Sequence, residues 1–279
     1  MNGWNEGITD AVSYMEDHLT QELQIEEIAA RACVSPFYFQ KIFTVLCGFT
    51  VSEYIRNRRL TLAGQELAAS DVRIIDLALK YGYDSPDSFT RAFVRFHGIT
   101  PSAARTGGAR LNSVAPLKIR LTLEGGTMME YRIENKAQFT VMGRVRSFNT
   151  DTSYEEIPKF WQEHMQSGQS EIVCGMYGIC MDSDGKNFDY FIADNYLPWK
   201  EVPEGYVTKV IPEGTWAVFP CRGPLPKALQ DVNTKIWSEW LPSCKTYKLA
   251  GNYNIEMYAP PTERSEDTYS EIWIPIEKV

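Results

Sequence analysis

Ser35-Pro36-Phe37-Tyr38-Phe39-Gln40-Lys41-Ile42-Phe43 returns fifty residues later as Ser85-Pro86-Asp87-Ser88-Phe89-Thr90-Arg91-Ala92-Phe93. Both stretches set amide, hydroxyl or basic side chains among regularly spaced aromatics. Such side chains suit nucleic acid: Gln pairs with adenine, Lys or Arg with guanine, and Ser or Thr reach base or phosphate. A different chemistry stands far downstream. In Glu271-Ile272-Trp273-Ile274-Pro275-Ile276, strand alternation puts Glu271, Trp273 and Pro275 on one face and the isoleucines on the other. In Asn254-Ile255-Glu256-Met257-Tyr258 it puts Glu256 and Tyr258 together. A carboxylate beside an indole on a concave sheet would attract a cation with apolar bulk. The alternative is a solvated outer face with the indole packed beneath a loop.

The elements that must position these residues follow from the same repeat. Gly48-Phe49-Thr50 matches Gly98-Ile99-Thr100, and Ile25, Ile28 and Ala29 match Ile74, Leu77 and Ala78. Each copy reads as a short helix, a turn, and a second helix with a Ser cap and Pro in its first turn. That is a helix-turn-helix. With Phe39, Ile42 and Phe43 inward, Phe37, Gln40, Lys41 and Thr44 point outward. With Phe89 and Phe93 inward, Asp87, Ser88, Thr90, Arg91 and Arg95 do so. The basic stretch Tyr54-Ile55-Arg56-Asn57-Arg58-Arg59 opens a long helix toward Leu67 that would hold the two copies at a fixed separation.

Composition sharpens the division. The chain has 279 residues, 44% hydrophobic and 23% charged, which excludes full-length disorder. No apolar run is long enough to span a membrane, and the start carries no secretory signal pattern. Six scattered Cys with no CxxC pair fit a reducing cytoplasm better than disulfides or zinc. The net charge is −8, yet residues 31–110 hold eleven bases against six acids. A locally basic segment can bind phosphate whatever the global sign. Six of the seven Trp lie after residue 110, which suggests an aromatic core or pocket there.

Thr106-Gly107-Gly108-Ala109 reads as a linker, and Leu117–Leu123 and Met129–Ile133 as alternating strands. Beyond them a second echo appears. Strand 139–145, helix 154–165 and strands 173–180 and 188–193 parallel strands 206–211 and 215–219, helix 225–240 and strands 253–258 and 271–276. Lys159-Phe160-Trp161 echoes Lys235-Ile236-Trp237. Two βαββ units would pair about a pseudo-two-fold axis and leave a cleft between them.

Residues 8–105 resemble the DNA-binding domain of AraC/XylS-family transcription regulators. The resemblance is carried by Leu23-x-Ile25-Glu26-x-Ile28-Ala29, Ser35-x-x-x-Phe39-x-Lys41-x-Phe43, Tyr54-Ile55-x-x-Arg58-Arg59-Leu60, and Gly82-Tyr83-x-Ser85-x-x-x-Phe89-x-Arg91-x-Phe93. It implies seven helices and two reading heads in successive major grooves. By position, Phe37, Gln40 and Lys41 would read bases in the first head, and Asp87, Ser88 and Arg91 in the second, with Thr90 on phosphate. Pro86-Asp87 departs from the family, whose members carry amides there. Asp87 would either accept from cytosine N4 or be repelled by phosphate.

Residues 127–279 resemble the GyrI-like small-molecule-binding domain. The carriers are Tyr177-Gly178-Ile179, Phe188-Asp189-Tyr190, Gly214-Thr215-Trp216-Ala217-Val218-Phe219, Trp237, Ile255-Glu256-Met257-Tyr258 and above all Glu271-Ile272-Trp273-Ile274-Pro275-Ile276. That resemblance implies a cleft with a central Glu that takes lipophilic, often cationic compounds. By position the Glu is Glu271, with Tyr177, Tyr190, Trp216, Glu256 and Trp273 as walls.

The expected fold class is α+β multidomain. An all-α double helix-turn-helix domain covers residues 1–106, and a linker and leading strand cover 107–126. An α+β domain of two βαββ repeats with pseudo-two-fold symmetry covers 127–279. The expected function is a ligand-responsive bacterial transcription regulator, an activator, in the cytoplasm on the nucleoid. Its expected partners are double-stranded promoter DNA, RNA polymerase and a lipophilic, cationic effector. No cofactor, metal, membrane partner or enzymatic activity is expected. Two alternatives remain: a small-molecule hydrolase using a Glu and a Tyr of the cleft, or a ligand-blind DNA-binding protein.

Overall fold

The computed structural model describes residues 4–106, 108–118, 129–149, 152–182, 187–260 and 268–279. The chain divides into two compact units, residues 1–123 and 124–279. No described helix is long and apolar enough to cross a membrane.

The first unit is helical. Its elements are α1 (Trp4–Asp17), α2 (Ile25–Arg31), α3 (Pro36–Cys47), α4 (Val51–Ala69), α5 (Ile74–Lys80), α6 (Pro86–His97) and α7 (Pro101–Ala104). The repeat is visible in its ends. Ser35 Oγ accepts from the Tyr38 N–H and Ser85 Oγ from the Ser88 N–H, each at 3.2 Å. Both helices stop at a glycine in the left-handed region, Gly48 at φ 74° and Gly98 at φ 76°, a conformation that suits a residue without Cβ. Thr50 and Glu53 then form a capping box that starts α4. The aromatic cores match as well. Phe39 and Phe43 stack 5.7 Å apart in one copy, and Phe89 and Phe93 5.5 Å apart in the other.

The basic opening of α4 has an internal role that its sequence does not announce. Arg58 is buried and pairs with Glu16 of α1 at 2.8 Å. Arg59 donates to the carbonyls of Leu19 and Gln21, just beyond α1. These two bases therefore hold α1 against α4 and are not part of a phosphate-facing surface. The expected linker is also partly tied down. Arg58 donates to the Val114 carbonyl, the Val114 N–H to Thr61 and the Leu117 N–H to the Tyr54 hydroxyl. Leu117 and Lys118 are not in a strand, and the rest of the expected strand 117–123 lies outside the described residues.

Among its described residues, the second unit forms one nine-stranded antiparallel sheet with two main helices. Its strands are β1 (Arg132–Lys136), β2 (Phe139–Asn149), β3 (Tyr177–Asp182), β4 (Asn187–Asn195), β5 (Val207–Ile211), β6 (Gly214–Arg222), β7 (Tyr247–Leu249), β8 (Tyr253–Tyr258) and β9 (Tyr269–Lys278). Helix α8 (Ser153–Gln166) follows β2. Helix α9 (Lys227–Lys235) follows β6 and continues as a π-helical turn over Ile236–Trp240. The expected strands at 129–133 and 173–180 begin later, at Arg132 and Tyr177, and β7 has no counterpart in the sequence reading.

The order β1-β6-β9-β8-β3-β4-β2-β5 shows the duplication. Ile179 of β3 stands opposite Ile255 of β8 at the centre. Outward from that pair, β4 corresponds to β9, β2 to β6, and β5 to β1. The leading strands are exchanged: β1 precedes β2 but pairs with β6, and β5 precedes β6 but pairs with β2. Each half thus closes the other's edge.

Register sorts the side chains onto two faces. Phe160 and Trp161 of α8 meet Phe148 and Tyr190, and Trp240, just after α9, meets Phe219, which stands opposite Ile272; these residues mark the helix-covered face. The other face carries Val141, Tyr177, Ile179, Phe191, Trp216, Val218, Ile255 and Trp273, which belong to one buried cluster that, among the described residues, contains no helix residue. Four strand steps separate β2 from β9, about 19 Å in a flat sheet. Phe139 of β2 and Trp273 of β9 nevertheless bring their ring centroids to 6.5 Å. The sheet is therefore rolled, and this face lines the inside of the roll.

Candidate functional site

On α3, Gln40 and Lys41 are half-buried, and the Gln40 amide donates to the Pro36 carbonyl at 3.4 Å. Phe37 departs from the expectation. It is 4% exposed, with the Lys41 ammonium 5.7 Å over its ring. The bulky ring at the start of α3 packs inward, so Phe37 supports Lys41 and is not presented to a base. On α6, Asp87, Arg91 and Arg95 are exposed, and Thr90 is half-buried. The Ser88 hydroxyl donates to the Ser85 carbonyl at 2.8 Å, which engages it in the cap. The second head therefore exposes Asp87 and Arg91, whereas Gln40 and Lys41 of the first head are half-buried.

The six expected ligand residues split between the two faces of the sheet. Glu271, Trp273, Tyr177 and Trp216 fall on the rolled inner face. Glu256 stands opposite Gly178 and Ile272, and Tyr190 opposite Cys180 and Arg146, all on the helix-covered face. Glu256 and Tyr190 are thus corrected as walls of the same cleft. They form a separate polar network beneath α8. Tyr190 and Tyr258 both donate to Glu256 Oε2, at 3.0 and 2.7 Å, and Trp161 donates to the Tyr190 hydroxyl at 3.0 Å. Gly178 leaves the space, since a Cβ there would collide with the Tyr190 hydroxyl. Burial, reinforced by the Glu256 charge, pushes both phenols well above their usual range.

On the inner face Glu271 is 4% exposed. Its Oε1 accepts from Tyr269 Oη at 2.5 Å and Arg132 Nη2 at 2.8 Å, and its Oε2 from Trp273 Nε1 at 2.6 Å. Burial alone would raise the carboxyl, but these donors outweigh it and hold it below the usual carboxylate range. The surrounding rings pack on one another. Tyr177 and Trp273 are 5.7 Å apart, Phe139 and Tyr177 6.1 Å, and Trp216 and Trp273 6.3 Å. Trp216 is fully buried, and its Nε1 has no hydrogen-bond partner among the described residues. A buried donor left unpaired costs about 1–3 kcal/mol.

Arg132, Glu134 and Lys136 of β1 complete the site, and the sequence reading missed them. Their alternation with Ile133 and Asn135 was the available signal, but an edge strand of charged residues reads as solvated. Arg132 bridges Glu134 and Glu271, and burial notwithstanding, both carboxylates raise its pKa. Lys136 lies 2.7 Å from Glu134 Oε2 and 4.0 Å over the Trp273 ring. Among the described residues no group of His, Cys, Asp and Glu is arranged to hold a metal ion.

Comparison with known proteins follows this division. A profile for integron-associated effector binding proteins matches residues 132–276, and one for a helix-turn-helix domain matches residues 28–107. The transcriptional regulator Rob of Salmonella typhimurium is 28% identical, over 94% of this chain and 91% of its own length. The HTH-type transcriptional activator AarP of Providencia stuartii is 33% identical, over 40% of this chain and 82% of its own length. The solved structure of SAV2435 bound to tetraphenylphosphonium is 22% identical, with a TM-score of 0.49. It covers 53% of this chain and 94% of that chain.

Proposed function

This chain belongs to the integron-associated effector binding protein family and is an AraC-type regulator by its helix-turn-helix domain, and on that premise we propose that it is a ligand-responsive activator of transcription. It acts in the cytoplasm. It binds double-stranded promoter DNA through α3 and α6, using Gln40 and Lys41 in the first head and Asp87, Thr90 and Arg91 in the second. Helix α4, at 19 residues, is a rod of about 28 Å, close to the ~34 Å between successive major grooves. Activation would act through RNA polymerase, and the activator role is supported by the similarity to AarP, a transcriptional activator.

The effector is a lipophilic molecule with a cationic or strongly donating group. The observation that carries this reading is the buried Glu271 carboxylate, kept ionised within aromatic walls. A ligand would take over Glu271 from Arg132 and lay its apolar bulk against Trp273, Tyr177 and Trp216. The hydrolytic alternative is disfavoured by the Glu256–Tyr258 pair. It lies beneath α8, with a phenol far from the near-neutral pKa that acid–base catalysis uses.

Two titrations test the reading. Binding to labelled promoter DNA should be salt-sensitive, and Arg91→Ala should weaken it by about 5- to 100-fold. Tetraphenylphosphonium should quench Trp fluorescence, and Glu271→Gln should weaken its binding by at least about tenfold without changing DNA affinity in its absence. Equal affinity of wild type and Glu271→Gln for the cation would overturn the site.

A further inference from the structure

The geometry points to Lys136 as the residue that sets which ligands the Glu271–Trp273 site accepts, acting as a built-in cation that an incoming cation must displace. This rests on the reading of the rolled inner face as the effector site.

Among the described strands β1 is an edge strand, bonded to β6. Its register opposite Val218, Trp216 and Gly214 puts Arg132, Glu134 and Lys136 on the inner face. Their contacts form a closed circuit. Lys136 Nζ sits 4.0 Å from the Trp273 ring centroid and 2.7 Å from Glu134. Glu134 meets Arg132, Arg132 Nη2 lies 2.8 Å from Glu271, and Glu271 accepts from the Trp273 N–H. A lipophilic cation needs an aromatic face and a carboxylate. Both are already covered, one by Lys136 and the other by Arg132. With two acids and two bases, the circuit presents an incoming cation with no net charge.

The two internal cations are not held equally. Arg132 bridges two carboxylates through a planar fork. Lys136 is a point charge on a flexible four-carbon stem. Among the described residues it makes one ion pair, against two for Arg132. Lys136 is therefore the cation that yields first. It can leave the ring while staying near Glu134, and the indole face then opens at the sheet edge. The contact that Lys136 gives up is of the same kind as the one the ligand gains. Lys136 thus acts as a threshold: weak cations fail to displace it, and those with large apolar bulk succeed.

The test is a titration of the full chain with tetraphenylphosphonium and with neutral triphenylphosphine oxide, read by Trp fluorescence. Lys136→Gln and Lys136→Met should bind the cation on the order of 2- to 30-fold more tightly than wild type, the range a cation–π contact corresponds to. Lys136→Arg, which keeps a cation over the ring, should stay within about twofold of wild type. The neutral compound should respond less than the cation to all three changes. Thermal melts of each variant show that the comparison is between folded proteins, and Lys136→Met serves if Lys136→Gln does not fold. If wild type binds, Glu271→Gln weakens binding and neither Lys136→Gln nor Lys136→Met tightens it, the role of Lys136 is overturned while the effector site stands. If only the Lys136 variants bind, the role of Lys136 stands and cation sensing by the wild type falls. If no variant binds the cation, both fall.

Discussion

The two halves of the sheet are built on one plan, yet they carry different chemistry at matching positions. Phe191 stands opposite Ile179 in the first half, as Trp273 stands opposite Ile255 in the second. Asp189 opposite Met181 corresponds to Glu271 opposite Met257. Gly143, beside Ala193, corresponds to Trp216, beside Pro275. Asp189 is half-buried and bonded to Ser147, whereas Glu271 is buried and held by three donors. Duplication supplied a frame with an acid at the same register in each half. Two indoles and the charged edge strand β1 turned only one of them into a buried anion.

Substitutions in the two halves should sharpen or break this contrast. The largest effect is expected at Trp216. Trp216→Ala should destabilise the chain by about 3–5 kcal/mol, because a fully buried indole leaves a cavity. Val145→Ala in the first half, 39% exposed, should cost no more than about 0.5 kcal/mol. Urea denaturation of both variants measures the difference, and equal losses would show that the halves share the load.

The next effect compares the acids. Glu271→Ala strands the Tyr269 and Trp273 donors and should cost about 2–3 kcal/mol. Asp189→Ala should cost well under 1 kcal/mol by the same principle, since its partner among the described residues, Ser147, is exposed. The smallest effect is in pH. Folding depresses the Glu271 pKa, so its stabilisation is full above the unfolded value of about 4.3. It is lost as pH falls through the lower folded value. The melting temperature of wild type should therefore fall more steeply on the acid side than that of Glu271→Gln. Parallel curves would mean that the carboxylate is not held ionised by its donors.

The helical repeat was the most legible part of the molecule. Ser35, Ser85, Gly48 and Gly98 punctuate two helices of equal length, and caps act through the backbone a few residues away. Strand alternation likewise sorted Glu271 and Trp273 from the isoleucines. It also set Glu256 apart from Ile255 and Met257, but it could not say which of the two faces is shared between strands. Glu256 and Glu271 each stand out from neighbouring isoleucines, yet register sends them to opposite faces. Phe37 was misjudged for a similar reason: periodicity gives the angle around a helix, not what packs over it. Arg58 and Arg59 look like a phosphate-binding run, and only the nearness of α1 turns them inward.

What the sequence determined by itself is local and periodic. It includes the paired helix-turn-helix motifs, the two-fold repeat of strands and helices, and the pairing of an acid with an indole two residues on. These depend on side chains within a turn or a pleat of each other. What only the tertiary structure decided is non-local. The exchange of β1 and β5 between halves, the rolling of the sheet and the circuit from Lys136 to Glu271 join residues more than sixty positions apart. Their energies come from register and burial across strands, and no local pattern encodes which strand will be the neighbour.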